Sequence, residues 1–99
     1  MKYLNQKCII RTNRAGVFFG TPVEFDHATR EMTIKDCRRI WYWSGAASLS
    51  QLAMDGVQDP DNCKFTVTVP ETTVEEVIET TPCTPKAIKN IEEVPVWKI

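Results

Sequence analysis

The sequence contains few of the residues on which catalysis and metal binding depend. It has a single histidine, His27, in a polar turn where we expect a solvated side chain, and it has no Cys-x-x-Cys pair. A zinc site is therefore not expected. There is no Gly-x-Ser-x-Gly elbow and no phosphate-binding loop of the P-loop or Rossmann kind. The sequence thus predicts a protein that is not an enzyme, with no catalytic residue, no metal and no cofactor.

The sequence also has no large excess of charge of either sign and no long apolar run. The 12 basic and 13 acidic residues give a net charge of -1, which argues against a non-specific grip on long nucleic acid. No run is long enough to cross a membrane, and no apolar leader is present, so we expect no membrane partner. We predict one domain over residues 1–99. The cysteines are expected to be buried free thiols in a reducing cytosol, with a two-disulfide secreted scaffold as the alternative: Cys8, Cys37, Cys63 and Cys83.

The apolar pattern predicts an α+β fold, in which an antiparallel sheet of five to six strands carries two short helices packed on it. Residues 72–81 fit either a helix or a strand, and the strand is favoured because Pro70 and Pro82 bracket a strand length. Ser44 is the expected N-cap of the first helix, and Gly56 is its expected end. We predict strands over Lys7–Thr12, Gly16–Phe25, Glu31–Lys35, Cys37–Trp43 and Cys63–Val69, and helices over Ala46–Met54 and Pro85–Glu93.

The strand from Cys37 to Trp43 is the part of the sequence that points to a ligand. Alternation places Cys37, Arg39, Trp41 and Trp43 on one face and Arg38, Ile40 and Tyr42 on the other. In one interpretation the tryptophans pack beneath the following helix, and Tyr42 with Arg38 forms an exposed platform. In another, the aromatic residues form a subunit interface.

Rings stack on nucleobases, whereas arginine side chains and helix N-termini bind phosphates. The small residues after Trp43 leave the first N–H groups of the expected helix open to an anion, although small residues are equally typical of close helix–sheet packing. Each arginine alone is equally consistent with a solvated surface group. The candidate ligand-binding residues are Arg11, Arg14, Arg38, Arg39, Trp41, Tyr42, Trp43, Ser44, Gly45, Ala46 and Thr84.

Several motifs resemble those of a family of small phage-encoded domains. They are the run AGVFFG at 15–20, the run KDCRRIWYWSGAASLSQLA at 35–53, and the closing segments Pro82–Thr84 and Val94–Trp97. The chain is also similar to the phage anti-Thoeris sponge proteins of the first-described type. Those proteins bind signalling isomers of cyclic ADP-ribose and, in some members, cyclic oligonucleotides, and they are not known to hydrolyse them.

The resemblance implies a phage protein that sequesters a small nucleotide immune signal in the host cytoplasm. It also implies a homodimer or larger homo-oligomer with pockets near the subunit interfaces. Two alternatives stay open from the residues themselves. The aromatic patch would serve an inhibitor that binds a host defence protein, or the chain would be a structural or accessory phage protein without a small ligand.

Overall fold

The computed structural model describes all residues from 1 to 99 and shows the predicted α+β fold, with a five-stranded antiparallel sheet and two α-helices. A single 3₁₀ turn, Pro60–Asn62, precedes the fourth strand. The elements are β1 (Cys8–Thr12), β2 (Val17–Asp26), β3 (Glu31–Tyr42), α1 (Leu49–Asp55), β4 (Lys64–Val74), β5 (Val77–Pro82) and α2 (Pro85–Glu93). No helix has both the length and the apolar character that crossing a membrane requires.

The sheet is strongly curled, and its strand order shows why. The order is β4-β3-β2-β1-β5, so β4 and β5 lie at opposite edges, which would be about 19 Å apart in a flat sheet. Only Glu75 and Glu76 separate the two strands, and such a link spans at most about 11 Å. The sheet must therefore bend until its edges meet at this corner. A hydrogen bond of 3.1 Å from the Val77 N–H to the Arg30 carbonyl joins the start of β5 to the turn between β2 and β3 at this corner.

Curling gives the sheet two apolar faces. The convex face packs against both helices, and its buried cluster includes Ile40, Phe65, Leu52 and Ile91. The concave face encloses a second cluster around Phe18, which consists of Cys8, Ile10, Phe18, Met32, Ile34, Cys37, Val74 and Val77. A strand with one face toward the helices and the other inside the curl is buried on both sides, which explains how 99 residues form two cores.

Two predicted boundaries are wrong in ways that matter for the site. The third and fourth predicted strands are one strand, β3, because Asp36 adopts a left-handed conformation (φ 50°) as a bulge and pairing then continues. The first helix begins at Leu49 and not at Ala46, and its N-cap is Ser48 and not Ser44. The predicted end of this helix at Gly56 is confirmed, as is the helix Pro85–Glu93 with Thr84 as its N-cap.

Residues 72–81 are extended, as the proline bracketing favours, although the corner at Glu75 and Glu76 divides them between β4 and β5. The four cysteines are free thiols, and all but the half-buried Cys83 are buried. Burial raises the pKa of Cys8 to about 11 and that of Cys83 to about 12.

Candidate functional site

Arg38 is a structural residue in the core of the helix-covered face. It is 3% exposed, and its guanidinium lies 5.4 Å from the centroid of the Phe65 ring. Its N–H groups donate to the carbonyls of Thr66 (2.8 Å), Phe65 (3.4 Å), Ile91 (2.8 Å) and Val94 (2.6 Å). The last two carbonyls belong to the C-terminal end of α2, where no further helical turn supplies donors. Burial lowers the pKa of Arg38, and its four hydrogen bonds to backbone carbonyls leave at most one of the five guanidinium N–H groups for a ligand.

Arg39, the next residue, lies on the opposite face and is exposed. Its guanidinium carbon lies 4.8 Å from the centroid of the Phe18 ring, in a cation–π arrangement. Its hydrogen bonds to Thr66 involve only the Arg39 backbone, so no carbonyl or carboxylate of the protein accepts from the guanidinium. Of the two arginines proposed to bind phosphate, Arg39 is therefore the one whose donors are free.

The Arg39 side chain lines two surface depressions that contain no carboxylate. The first, of about 280 Å³, lies over β3 and β4 and is formed by Phe18, Cys37, Arg39, Thr66, Val67, Val69 and Thr72. The second, of about 270 Å³, lies between the β1–β2 turn and the end of β3 and is formed by Arg14, Ala15, Gly16, Val17, Arg39, Ile40, Trp41 and Trp43. The other three depressions on the surface each include aspartate or glutamate. The two that share Arg39 are thus the ones electrostatically suited to an anion.

Trp41 and Tyr42 are both exposed, at 64% and 52%, on opposite faces of the end of β3. Trp41 belongs to the Arg39 face and lies parallel to Trp97, with ring centroids 6.4 Å apart. The Lys64 ammonium lies 5.5 Å from the centroid of Trp97. Trp97 and Lys64 were not among the predicted site residues. Alternation along β4 signals the face of Lys64, but no local pattern shows that the tail brings Trp97 to Trp41.

The segment after Trp41 is not the anion site that a helix N-terminus at Ser44 would have formed. Trp43 packs against the helix-covered core, and its Nε1–H donates to the Ala46 carbonyl at 3.3 Å. Ser44 donates to the Asp59 carboxylate at 3.0 Å, and Gly45, at φ 90°, accepts from the Gln58 N–H at 3.0 Å. The last two contacts hold Ser44 and Gly45 against the loop before β4.

The N-terminus of α1 is already capped by the protein. The Ser48 hydroxyl accepts from the Gln51 N–H at 3.1 Å, and the Gln51 side chain accepts from the Ala47 N–H at 2.8 Å. This is close to a capping box, in which side chains satisfy the first N–H groups of the helix. The N–H groups of Gln51 and Ala47 are therefore already satisfied within the protein.

The remaining candidates divide between the site and the scaffold. Arg14 reaches the second depression, although it is also paired with Glu76 at the β4–β5 corner. Arg11 lies 3.6 Å from the Glu79 carboxylate and lines neither depression. Thr84 caps α2 at 3.1 Å from the Ala87 N–H and donates to the Met54 carbonyl at 2.6 Å, which joins the two helices.

The site that the structure assembles is therefore smaller than the predicted one. It comprises Arg39 and Trp41, with Arg14 on one side and the Thr66–Val67 segment on the other. Guanidinium donors beside exposed rings suit a ligand that has both a negative charge and a flat aromatic part.

The comparisons with known proteins identify the family of the chain, and the function of that family is unknown. No curated protein matches the chain. Residues 5–91, which include β1 to β5, α1 and most of α2, match the model described as a domain of unknown function, DUF6948. Since the match covers most of the sequence, the chain belongs to the DUF6948 family.

Proposed function

We propose that this protein is a non-enzymatic binding protein that sequesters a small nucleotide signal at Arg39. The ligand class is a cyclic ADP-ribose isomer or a cyclic oligonucleotide, taken up in the host cytoplasm to counter a defence response. The observation that carries the proposal is the free guanidinium of Arg39, held over Phe18 between two depressions that contain no carboxylate.

The chemistry of the site supports binding in preference to reaction. A phosphate needs charged donors, which Arg39 supplies without having to break an existing ion pair. A nucleobase needs an exposed ring, which Trp41 supplies. The residues that line the two depressions include no histidine, aspartate or glutamate that could act as a general base.

Self-association is part of the proposal. The outer edges of β4 and β5 have no strand partner along most of their length, and unpaired edges favour pairing between copies. Exposed aromatic residues beside Arg39 extend the surface that a second copy could cover. We therefore propose a homodimer or a larger symmetric assembly with the ligand near the interface.

Native mass spectrometry of the protein from cells that express an immune nucleotide cyclase tests both parts. We expect a multiple of the subunit mass that carries the intact nucleotide, and heating should release the same nucleotide unchanged. In titration calorimetry with cyclic ADP-ribose, Arg39→Ala should lose about 1.5–3 kcal/mol for each lost charged hydrogen bond. Arg11→Ala is the matched control, because it removes the same charge from a residue outside both depressions.

Two results would contradict this proposal. Equal affinity in Arg39→Ala and the wild type would remove Arg39 from the site, and a hydrolysed product in excess over protein would make the protein an enzyme. The exposure of Trp41, Tyr42 and Trp97 favours a second candidate function, the inhibition of a host defence protein through this aromatic surface. That candidate predicts a ligand-free assembly in the same spectra.

A further inference from the structure

The C-terminal tail, the residues after α2, lies against the edge of the sheet formed by β4. After α2 the chain runs along the outer edge of β4, where Val96 pairs with Phe65 and the Trp97 N–H donates to the Phe65 carbonyl at 2.8 Å. The tail lies beyond residues 5–91, which match the family model. It therefore adds to this chain a feature that the matched region does not contain.

The tail brings Trp97 to Trp41 in an unusual spacing. The two indole planes are parallel within 5°, and their centroids are 6.4 Å apart. Carbon layers in contact lie about 3.5–4.0 Å apart, so these rings are not superposed in full contact. Both remain substantially exposed, Trp41 at 64% and Trp97 at 46%. The distance between the two planes is at most the centroid distance. A flat ring placed between two others needs about 7–8 Å, so a base would stack on the faces that the two rings leave exposed.

A cationic side chain lies near each of the two rings. The Lys64 ammonium lies 5.5 Å from the Trp97 centroid, and Trp41 shares its depression with Arg39. No carboxylate lines that depression. The combination favours a flat aromatic group attached to a negative charge over an aliphatic or cationic ligand.

We infer that Trp41 and Trp97 together form the stacking surface for one nucleobase, while Lys64 and Arg39 contact the phosphate that the base carries. The inference rests on the proposed function and adds to it the tail as part of the binding site. Trp43 lines the same depression, but it does not stack on the base, because it packs against the core and its Nε1–H donates to the Ala46 carbonyl.

Titration calorimetry with AMP and with ribose 5-phosphate, which lacks the base, tests the stacking role. We expect Trp97→Ala to weaken AMP binding about tenfold and to leave ribose 5-phosphate binding unchanged. Trp97→Phe keeps a ring and should retain most of the AMP affinity. Ile78→Ala, which removes an exposed apolar side chain on β5, is the control and should match the wild type.

Nuclear magnetic resonance of the three indole N–H groups provides a second readout. AMP should shift the signals of Trp41 and Trp97 more than that of Trp43, whose indole N–H is hydrogen-bonded within the protein. Equal AMP affinity in Trp97→Ala and the wild type, or a shift confined to Trp43, would overturn the inference while the proposed function stands. An absence of AMP binding to the wild type would also overturn it, whereas the proposed function is judged separately, on cyclic ADP-ribose.

Discussion

The two sides of the sheet at the end of β3 hold the same kind of side chain by different means. On the helix-covered side, Arg38 is buried and fixed by four backbone carbonyls from β4, α2 and the residue after it. On the concave side, Arg39 is exposed and rests on the ring of Phe18. The Arg38 guanidinium donates to carbonyls of the protein, whereas the Arg39 guanidinium has no acceptor within the protein.

The difference shows that the elements packed on each face of a strand decide whether its side chains are buried and hydrogen-bonded within the protein or exposed to solvent. A buried charge is tolerated only when hydrogen bonds replace those to water, and the end of α2 provides them for Arg38. Arg39 lies where neither helix reaches, so its donors meet only solvent. The same reasoning separates Trp43, which lies in the helix-covered core, from Trp41, which is exposed.

Removing Arg38 should have the largest effect on stability. Arg38→Ala removes one donor from each of four carbonyls and opens a cavity, so we expect a loss of about 3–5 kcal/mol in the free energy of unfolding. Arg39→Ala should lose less than about 1 kcal/mol, because an exposed side chain is removed. Urea unfolding of both variants measures the contrast.

The conservative variant Arg38→Lys sharpens the test. It keeps the charge but cannot reach carbonyls of both β4 and α2 with one ammonium, so it should remain clearly less stable than the wild type. Similar losses in Arg38→Ala and Arg39→Ala would mean that the two sides of the sheet are not held differently.

Sequence reasoning located the two arginines only in part. Alternation correctly placed Arg38 and Arg39 on opposite faces, because a strand turns each successive side chain over. Of the two tryptophans that one interpretation packed beneath the helix, Trp43 lies in the helix-covered core and Trp41 is exposed. The cover over Arg38 comes from Ile91 and Val94, whose carbonyls lie more than fifty positions away in the chain. No local pattern records such a contact.

The error at the first helix had a local signal that could have corrected it. Ser48 and Gln51 have the spacing of a capping box, which predicts a helix from Leu49. Ser44 has no glutamate or glutamine three positions later. The end at Gly56 and the whole of α2 were predictable because glycine, threonine and proline act locally on the backbone.

A second prediction concerns the segment that links the end of β3 to the covering helix. Gly45 has φ 90°, and a Cβ there would lie 2.5 Å from the Asp59 backbone nitrogen. Gly45→Ala should therefore lose about 2–4 kcal/mol of stability. Gly16→Ala is the matched control on the exposed side: its φ is similar, at 98°, but no atom lies within 4 Å. We expect it to lose only about 1–2 kcal/mol. Equal losses in thermal unfolding would show that the loop contact contributes nothing.

The smallest expected effect lies at the exposed corner between β4 and β5. The Glu76 carboxylate accepts hydrogen bonds from Arg14 and from Asn13, which lower its pKa from 4.5 to about 2. A carboxyl whose pKa is lower in the folded chain stabilises the fold above pH 4.5. That contribution is lost as the pH falls from 4.5 to about 2. Because the pair is on the surface, the effect is small and weakens with salt.

Glu76→Gln should therefore lower the melting temperature slightly at neutral pH, and the difference from the wild type should vanish as the pH approaches 2. Glu79→Gln is the control, since it removes an exposed carboxylate 3.6 Å from Arg11, away from the corner.

Glu76→Gln also removes the ion-pair partner of Arg14, which lines the second depression with Arg39. If a ligand phosphate uses Arg14, Glu76→Gln should bind cyclic ADP-ribose more tightly although the fold is less stable. A difference in melting temperature that persists at acid pH would show that Glu76 stabilises the corner by its shape and not by its charge.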